Sequence, residues 1–327
     1  MIKELAVIIL VFCGQFNIFF TGSELTGSVF NSLKKSGEVA GADSRSKNKI
    51  EIDKTRINKT DKSRSYSAPA FSQIGISDDN DFEVKSKSAI AVNAETGAII
   101  YEKNIREKLP VASLAKLTTA LVVLDKVDLE SQATISGNAV ATEGNKGNLK
   151  TGEKITVRNL LCLLLVNSSN DAATALAEHI SGSEDGFVKL MNKKAKALGL
   201  ENTSFANPTG LDQENNYSTA YDLTKLVKIV LNEPLLLEIM RIQDLDVFSV
   251  DGVNVHHLSN TNKLLGKLPG INIIGGKTGF TNQAEECLIL ITVHPENNQR
   301  IISVILGSED RFGEMEKLIN WIYGNKS

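Results

Sequence analysis

Strand-like runs occupy both ends of the structured part of this chain, and helical patterns fill its middle. Two short β-type runs flank Glu95-Thr-Gly97 in the manner of a hairpin, and more strand-like runs follow Leu245. A sheet assembled from both ends must enclose the segment between them. We therefore expect an α+β fold, with one antiparallel sheet flanked by helices and an inserted, mostly helical lobe.

The individual elements follow from the period of the apolar residues. Alternation and β-branched content predict strands at residues 89–92, 98–101, 247–250, 253–257, 271–274, 287–293 and 301–306. Helical spacing without breakers predicts helices at residues 114–127, 157–165, 171–180, 186–198, 220–231 and 309–323. Ser113, which follows Pro110, is a possible cap of the first helix.

The N-terminal part of the chain differs in composition from the rest. Residues 1–22 hold Lys3 and a short apolar run, which predicts a signal peptide or an N-terminal anchor. Residues 23–81 are rich in Ser, Lys, Asn and Asp, which predicts a disordered linker. Residues 82–327 form the predicted folded domain. We expect an extracytoplasmic protein of the cell envelope, secreted or N-terminally tethered, which contacts the membrane only through an uncleaved N-terminus.

Charge and cysteine content exclude several classes of protein. With 36 basic and 39 acidic residues the net charge is -3, so no general field attracts nucleic acid, and none is expected as a partner. Cys13, Cys162 and Cys287 lack the spacing of a zinc site, a redox motif or a disulfide framework.

Ser113-Leu-Ala-Lys116 lies at the start of an apolar helical stretch. A serine is a weak nucleophile unless a base lies within hydrogen-bond reach, and residues three apart on a helix are neighbours. The spacing alone has little weight, because the linker repeats it at Ser32, Ser44 and Ser46. The context of Ser113 is different, because a long apolar helix follows it. Its hydroxyl can then lie at a buried helix N-terminus, where the helix dipole favours an anion.

Two further motifs also occur more than once. Ser168-Ser-Asn170 joins two apolar helical runs, whereas Ser136-Gly-Asn138 has no such frame, so we favour Ser168. Lys277-Thr-Gly279 is flanked by strand-like runs, which places its lysine at a sheet edge. Lys150-Thr-Gly152 lies in a polar loop and is interpreted as a solvated turn.

The ordered set of Ser113…Lys116, Ser168…Asn170 and Lys277-Thr-Gly279 resembles the signature of the penicillin-recognising serine enzymes. Neighbouring segments narrow the resemblance to the D-alanyl-D-alanine carboxypeptidases among the low-molecular-mass penicillin-binding proteins. These segments lie at residues 111–119, 170–173, 191–200, 205–212, 218–223, 260–262 and 276–281, and the match spans about residues 82–323.

The resemblance implies a reaction on peptidoglycan stem peptides ending in D-Ala-D-Ala, with β-lactams as inhibitors and no cofactor or metal. Ser113 would attack the carbonyl between the two D-alanines, giving an acyl-enzyme that water hydrolyses. Lys116 would be the base, which requires desolvation and a neighbouring positive charge to lower its pKa. Ser168 and Asn170 would relay a proton and hold the substrate amide.

By the same resemblance, the third motif would bind substrate. Lys277 and the hydroxyl of Thr278 would bind the terminal carboxylate, and Gly279 belongs to the same substrate-binding strand. The backbone N–H groups of Ser113 and Phe280 would form the oxyanion hole.

The chain departs from the family pattern at two places. Glu285-Glu286 stand where the family usually has a glycine, which affects the packing and charge beside the pocket. The chain also ends soon after Tyr323, where many relatives continue into a β-rich domain and a C-terminal anchor. Any membrane tether is therefore expected at the N-terminus.

Other functions stay open at this point. A wall-binding homologue that has lost turnover would keep the same fold, and a β-lactamase would need a Glu-x-x-Leu-Asn segment, which is absent. A Ser-His or metal mechanism is disfavoured because the histidines form no motif, and His256-His257 is predicted in a strand with one ring exposed. Carboxypeptidase, endopeptidase and transpeptidase differ only in the leaving and attacking groups.

Overall fold

The computed structural model describes residues 82–295 and 297–324. Its strands are β1 (Ser88–Asn93), β2 (Ile99–Lys103), β3 (Gln132–Thr134), β4 (Lys154–Thr156), β5 (Asp244–Phe248), β6 (Val255–Ser259), β7 (Asn272–Thr281), β8 (Glu285–Val293) and β9 (Arg300–Ser308). Its helices are α1 (Lys116–Lys126), α2 (Gly137–Ala141), α3 (Val157–Leu165), α4 (Asn170–Ser181), α5 (Glu184–Ala197), α6 (Ala220–Val230), α7 (Pro234–Met240) and α8 (Arg311–Ile322). The predicted signal peptide or anchor (1–22) and linker (23–81) lie outside the described residues.

The main sheet has five antiparallel strands in the order β2-β1-β9-β8-β7. The first two strands of the domain therefore pair with its last three, through a β1–β9 register that sets Ser88 opposite Leu306. The predicted α+β architecture is confirmed. All the helices from α1 to α7 lie in the segment between β2 and β7, which we call the helical lobe.

The sheet is covered on both faces, which explains why its strands have continuous apolar runs. In β1, Ile90 and Val92 pack into the core shared with the helical lobe, while Ala89 and Ala91 pack into a second core under α8. Alternate residues of a strand point to opposite faces, so both sets are removed from water. Burial of this apolar surface is the main term that stabilises the sheet.

Two predictions about the sheet are wrong. The strand predicted at 271–274 continues to Thr281 in β7, so the Lys277-Thr-Gly279 motif lies within this strand and not after it. The predicted strands 247–250 and 253–257 correspond to β5 and β6, which form a separate two-stranded sheet. Within the helical lobe, this hairpin is bound to β4 and α3 instead, because Val250 N donates to Lys154 O (2.8 Å) and Asn159 Nδ2 donates to Phe248 O (3.0 Å). The prediction for the histidines is confirmed, since His256 is buried in β6 and the side chain of His257 is 78% exposed.

The first predicted helix begins later than its pattern indicates. Ala112–Ala115 form a 3-10 turn, and α1 starts at Lys116. Ser113 does not cap the helix, because it lies inside the turn and its hydroxyl faces Lys116. The remaining predicted helices agree with the structure to within about two residues, the usual uncertainty of helix ends.

None of the helices among the described residues is both long enough and apolar enough to span a membrane.

Candidate active site

Three elements bring the predicted site residues together. The 3-10 turn and the start of α1 carry Ser113 and Lys116. The connection from α3 to α4 carries Ser168, the first residue of α4 is Asn170, and β7 carries the third motif. Strand β7 lies at the edge of the main sheet, as the sequence predicted for Lys277. Residue Gly279 of this strand packs against the 3-10 turn, since a Cβ atom there would lie 3.0 Å from Ala112 Cβ.

The amino group of Lys116 is at the centre of the site. Its Nζ lies 2.8 Å from Ser113 Oγ, and it donates to Asn170 Oδ1 (2.6 Å) and to the backbone carbonyl of Thr209 (2.6 Å). Lys116 is fully buried, while Ser113 is partly open to solvent. A nucleophile that solvent can reach is therefore paired with an amine that solvent cannot reach.

The environment of Lys116 favours its neutral form. Burial is the main cause that lowers its pKa well below 10.5, and the nearby charge of Lys277 lowers it further. The carboxylate of Asp171 acts in the opposite direction. A lysine that is neutral near physiological pH can accept a proton, which an ordinary lysine cannot do.

Lys277 forms the second half of the site. Its Nζ donates to Ser168 Oγ (2.7 Å) and to the backbone carbonyl of Thr278 (2.9 Å). Burial, followed by the charge of Arg311, lowers the pKa of Lys277 to about 7. Thr278 Oγ1 lies 2.5 Å from Thr261 Oγ1, a contact that holds the Thr278 side chain in place. An anion bound beside Lys277 would raise its pKa and stabilise its charged form.

Asn170 is held at three points. Besides accepting from Lys116, its side chain donates through Nδ2 to Glu143 O (2.7 Å), and its backbone N–H donates to Asn145 O (2.7 Å). Ser168 adopts a left-handed conformation, with φ of +63°, just before α4 begins. Such a conformation is unfavourable for serine, and surrounding contacts must maintain it.

The backbone next to Ser113 is also constrained. Ala112 has φ of +48°, and its carbonyl is so close to Gly210 that a Cβ atom on Gly210 would lie 1.9 Å from the oxygen. The same Cβ atom would lie 3.0 Å from Ser113 N. Gly210 itself has φ of +84°, which favours glycine for a second reason.

Phe280 and Gly279 complete the predicted set. Phe280 follows the third motif in β7, and its side chain is 61% exposed. The Gly279 carbonyl accepts a hydrogen bond from Arg311 Nη1 (2.8 Å), so α8 also contacts this edge of the sheet. The structure thus places all eight predicted site residues in one region.

Four further residues of the site had no assigned role. Thr209, Asp171 and Thr261 lie in segments that carry the family resemblance, but nothing in their spacing indicates a contact with either lysine. Arg311 opens a helix distant in sequence, and it acts on Lys277 through its charge. Only the fold brings these groups to the motifs.

The alternative copies of the motifs have other positions. Ser136 caps α2, since its hydroxyl accepts from Ala139 N (2.9 Å). Lys150 is exposed in the turn before β4, as its interpretation as a solvated turn predicts. The Ser-x-x-Lys copies of the linker lie outside the described residues.

The two glutamates that depart from the family pattern have separate roles. Glu285 has φ of +55° and pairs with Lys87 at 2.7 Å, so a charged side chain occupies a backbone position that suits glycine. Glu286 Oε2 accepts from the backbone N–H of Arg311 (2.9 Å), and its carboxylate lies 4.0 Å from the guanidinium group. Glu286 therefore helps to hold the arginine whose charge acts on Lys277.

The strain at Glu285 gives a stability prediction. Glu285→Gly removes both the strain and the ion pair, whereas Glu285→Ala removes the ion pair alone. An exposed pair contributes less than about 1 kcal/mol, and the left-handed conformation costs about 1 kcal/mol for a residue with a Cβ atom. We expect the free energy of unfolding of Glu285→Gly to be about 1 kcal/mol higher than that of Glu285→Ala, as measured by denaturant titration. Equal stabilities would mean that the backbone position carries no strain.

The surroundings of the site are polar. A cleft of about 410 Å³ opens beside it and is lined partly by Glu143 and Thr209, whose carbonyls accept from Asn170 and Lys116. In the part of the chain that the structure describes, no cluster of three or more His, Cys, Asp or Glu side chains could hold a metal ion.

Comparison with known proteins agrees with this geometry. Residues 75–310 match the family model described as D-alanyl-D-alanine carboxypeptidase, peptidase family S11. The chain is 36% identical over 247 residues to D-alanyl-D-alanine carboxypeptidase DacF of Bacillus subtilis, covering 73% of this chain and 62% of that protein. It is also 36% identical over 250 residues to a D-alanyl-D-alanine endopeptidase of Escherichia coli, covering 75% of this chain and 79% of that protein.

Solved structures show the same likeness. The DD-transpeptidase of Streptomyces K15 aligns with a TM-score of 0.69 at 29% identity, covering 74% of this chain and 98% of that one. A D-alanyl-D-alanine carboxypeptidase of Mycobacterium tuberculosis aligns with a TM-score of 0.68 at 28% identity, covering 77% and 94%. The predicted fold class is confirmed by these neighbours. With its family model matched over most of the folded residues, the chain belongs to the D-alanyl-D-alanine carboxypeptidase family of serine peptidases.

Proposed function

We propose that this protein is a serine-type D-Ala-D-Ala carboxypeptidase that removes the terminal D-alanine from peptidoglycan stem peptides. The observation that carries the proposal is the contact of the buried Lys116 Nζ with Ser113 Oγ at 2.8 Å. A buried amine of lowered pKa beside a reachable hydroxyl is the arrangement that a serine nucleophile needs. The family membership supports the same activity.

The first half of the reaction forms an ester on Ser113. Its Oγ attacks the carbonyl carbon between the two terminal D-alanines, while its proton passes to the neutral Lys116 amine. The backbone N–H groups of Ser113 and Phe280 stabilise the oxyanion, a contribution of about 3 kcal/mol for one such donor. The C–N bond then breaks, and the leaving D-alanine amine takes a proton relayed by Ser168.

The second half restores the enzyme. Water attacks the acyl ester with Lys116 as the base, and the shortened peptide leaves with a new carboxylate. Asn170 holds the substrate amide and keeps Lys116 aligned through its Oδ1. Penicillins acylate Ser113 in the same way, and we propose that their esters hydrolyse slowly.

Strand β7 carries the groups that select a substrate with a free carboxylate. Lys277 and the Thr278 hydroxyl bind the terminal carboxylate of the substrate, and Gly279 allows β7 to lie close to the 3-10 turn of Ser113. A bound anion favours the charged form of Lys277. This charge lowers the pKa of Lys116 and helps to keep it neutral. One lysine thus selects the substrate and adjusts the base.

We further propose that the reaction occurs outside the cytoplasmic membrane, where the stem peptides are. In this arrangement residues 1–22 are a signal peptide or an anchor, residues 23–81 are a linker, and residues 82–327 are the catalytic domain. Fractionation of cells that express the full chain tests the location, and N-terminal sequencing of the recovered protein distinguishes cleavage from anchoring.

The experiment that tests the activity is labelling with a fluorescent penicillin. We expect the full chain to be labelled, Ser113→Ala to be unlabelled, and Ser44→Ala to be labelled like the wild type. Ser44 is the matched control because it has the same Ser-x-x-Lys spacing in the linker. An unlabelled wild type would overturn the acyl-enzyme mechanism.

Incubation with a peptide ending in D-Ala-D-Ala then identifies the reaction. Release of D-alanine without an added amine supports the carboxypeptidase. Labelling without any release supports a wall-binding homologue that has lost turnover, and rapid loss of the label supports a β-lactamase. Because the similar proteins include an endopeptidase and a transpeptidase, a cross-linked peptide and an amine acceptor are tested in parallel.

A further inference from the structure

A buried pair of side chains outside the motifs, His256 and Glu153, holds the segment that orients Asn170. We infer that this pair is a positioning pair for the acylation step, a role that rests on the proposed function. The segment consists of residues 143–149, which we call the orienting segment. It lies between α2 and β4 and belongs to no helix or strand.

The orienting segment decides which way the Asn170 amide points. Glu143 O accepts from Asn170 Nδ2 (2.7 Å), so the amide oxygen is left to face Lys116. Asn145 O accepts from the Asn170 backbone N–H (2.7 Å), which places the first residue of α4. A shift of this segment would therefore displace an acceptor that fixes the direction of the base.

The segment is also attached to the next residue of α4. The carboxylate of Asp171 accepts from Gly147 N (2.8 Å) and from Leu149 N (3.2 Å). A Cβ atom on Gly147 would lie 2.4 Å from Leu163 Cδ2 and 2.9 Å from Ser169 Oγ, so the backbone packs directly on the α3–α4 connection.

His256 holds the same segment through a further contact. Its Nδ1 lies 2.9 Å from Gly147 O, and its Nε2 lies 2.7 Å from Glu153 Oε1. Glu153 Oε2 accepts in turn from Lys150 N (2.9 Å). The side chains of His256 and Glu153 are 3% and 0% exposed, so water does not replace a lost partner.

The hydrogen-bond roles follow from the acceptors. A carbonyl oxygen only accepts, so Nδ1 carries a proton and donates to Gly147 O. The contact of Nε2 with Glu153 Oε1 is a second hydrogen bond of the same ring. The pair therefore joins β6 to the orienting segment through groups that are all satisfied. Removal of either side chain leaves one buried polar atom of the other, His256 Nε2 or Glu153 Oε1, without its partner.

A conservative variant separates position from charge. In Glu153→Gln, the amide N–H can donate to the free lone pair of a neutral His256 Nε2, and the amide oxygen can accept from Lys150 N. This keeps both contacts and removes the carboxylate. Glu153→Ala keeps neither contact.

The test measures kcat and KM for D-alanine release, with penicillin acylation rates in parallel. We expect Glu153→Ala and His256→Ala to lower kcat and the acylation rate about tenfold or more, because small misplacements of reacting groups have such effects. KM should change less than kcat, since Lys277 and Thr278, which bind the carboxylate, lie on β7 and only the contact of Asn170 with the substrate amide is affected. Glu153→Gln should stay within about threefold of the wild type in all three values.

His257→Ala is the matched control, because the neighbouring histidine of the same strand pairs with a carboxylate, Asp246, at 2.5 Å but is exposed. It should behave like the wild type. All variants are assayed at temperatures where circular dichroism shows them to be folded.

The inference is overturned if folded Glu153→Ala acylates at the wild-type rate, or if Glu153→Gln loses as much kcat as Glu153→Ala. A wild type that penicillin does not label overturns the proposed function instead, so the two failures are distinguishable.

Discussion

Replacement of Lys116 by methionine is expected to slow acylation of Ser113 by penicillin about 10²- to 10⁴-fold, the usual contribution of a general base. Methionine fills a similar volume but cannot take the serine proton, and Lys116 Nζ is the amine within hydrogen-bond reach of Ser113 Oγ. The measurement is a stopped-flow or gel-based acylation rate. Lys126→Met, the same change at an exposed position of α1, should leave the rate unchanged.

The same variant gives a prediction about pH. The folded-state pKa of Lys116 lies well below its unfolded value of 10.5, so the unfolded chain binds more protons in the intervening range. Stability rises with pH wherever that holds. The wild type should therefore gain free energy of unfolding relative to Lys116→Met as pH increases toward 10.5. A difference that does not vary with pH, or an unchanged acylation rate, would contradict the assignment of Lys116 as a neutral base.

Substitution of Gly210 by alanine is expected to lower the free energy of unfolding by about 2 to 4 kcal/mol and to slow acylation. The left-handed backbone contributes about 1 kcal/mol of this, and overpacking contributes the rest. The added Cβ atom would lie 1.9 Å from Ala112 O, and backbone cannot turn aside as a flexible side chain can. The 3-10 turn must therefore shift, and Ser113 shifts with it.

Gly182→Ala is the control for this prediction. Gly182 ends α4 with φ of +75°, and a Cβ atom there meets nothing within 4 Å. Its substitution should cost about 1 kcal/mol and leave the acylation rate unchanged. Denaturant titration and penicillin acylation measure the two effects. If Gly210→Ala matched Gly182→Ala in both, the close approach to Ala112 would have no consequence for the site.

Much of the fold is predictable because its signals are local. The apolar period identified the main helices and most of the strands to within a few residues, although β7 continues to Thr281, well beyond its predicted end at residue 274. The runs of β8 and β9 are continuous because both faces of the sheet are covered. The β5–β6 hairpin was assigned to the wrong sheet, since strand propensity contains no information on which strands pair. The start of α1 was also misplaced, because the left-handed conformation of Ala112 depends on contacts from distant residues.

The candidate site also has a part that the sequence predicts and a part that it does not. Its serines and lysines are visible as motifs because their chemistry requires particular side chains at fixed spacing. Backbone acceptors such as Thr209 O and Glu143 O have no such signal, because every residue carries a carbonyl group. Arg311 and His256 are single residues whose significance depends on what packs beside them.

The sequence by itself therefore determined the fold class, the family and the residues proposed to act in catalysis. The tertiary structure decided the state of those residues. Burial and neighbouring charge lower the pKa of Lys116 and Lys277, and Glu285 occupies a glycine-like position with an ion pair to Lys87. The physical reason is that desolvation and hydrogen bonding act over a few ångströms in space, between residues whose separation along the chain has no fixed value.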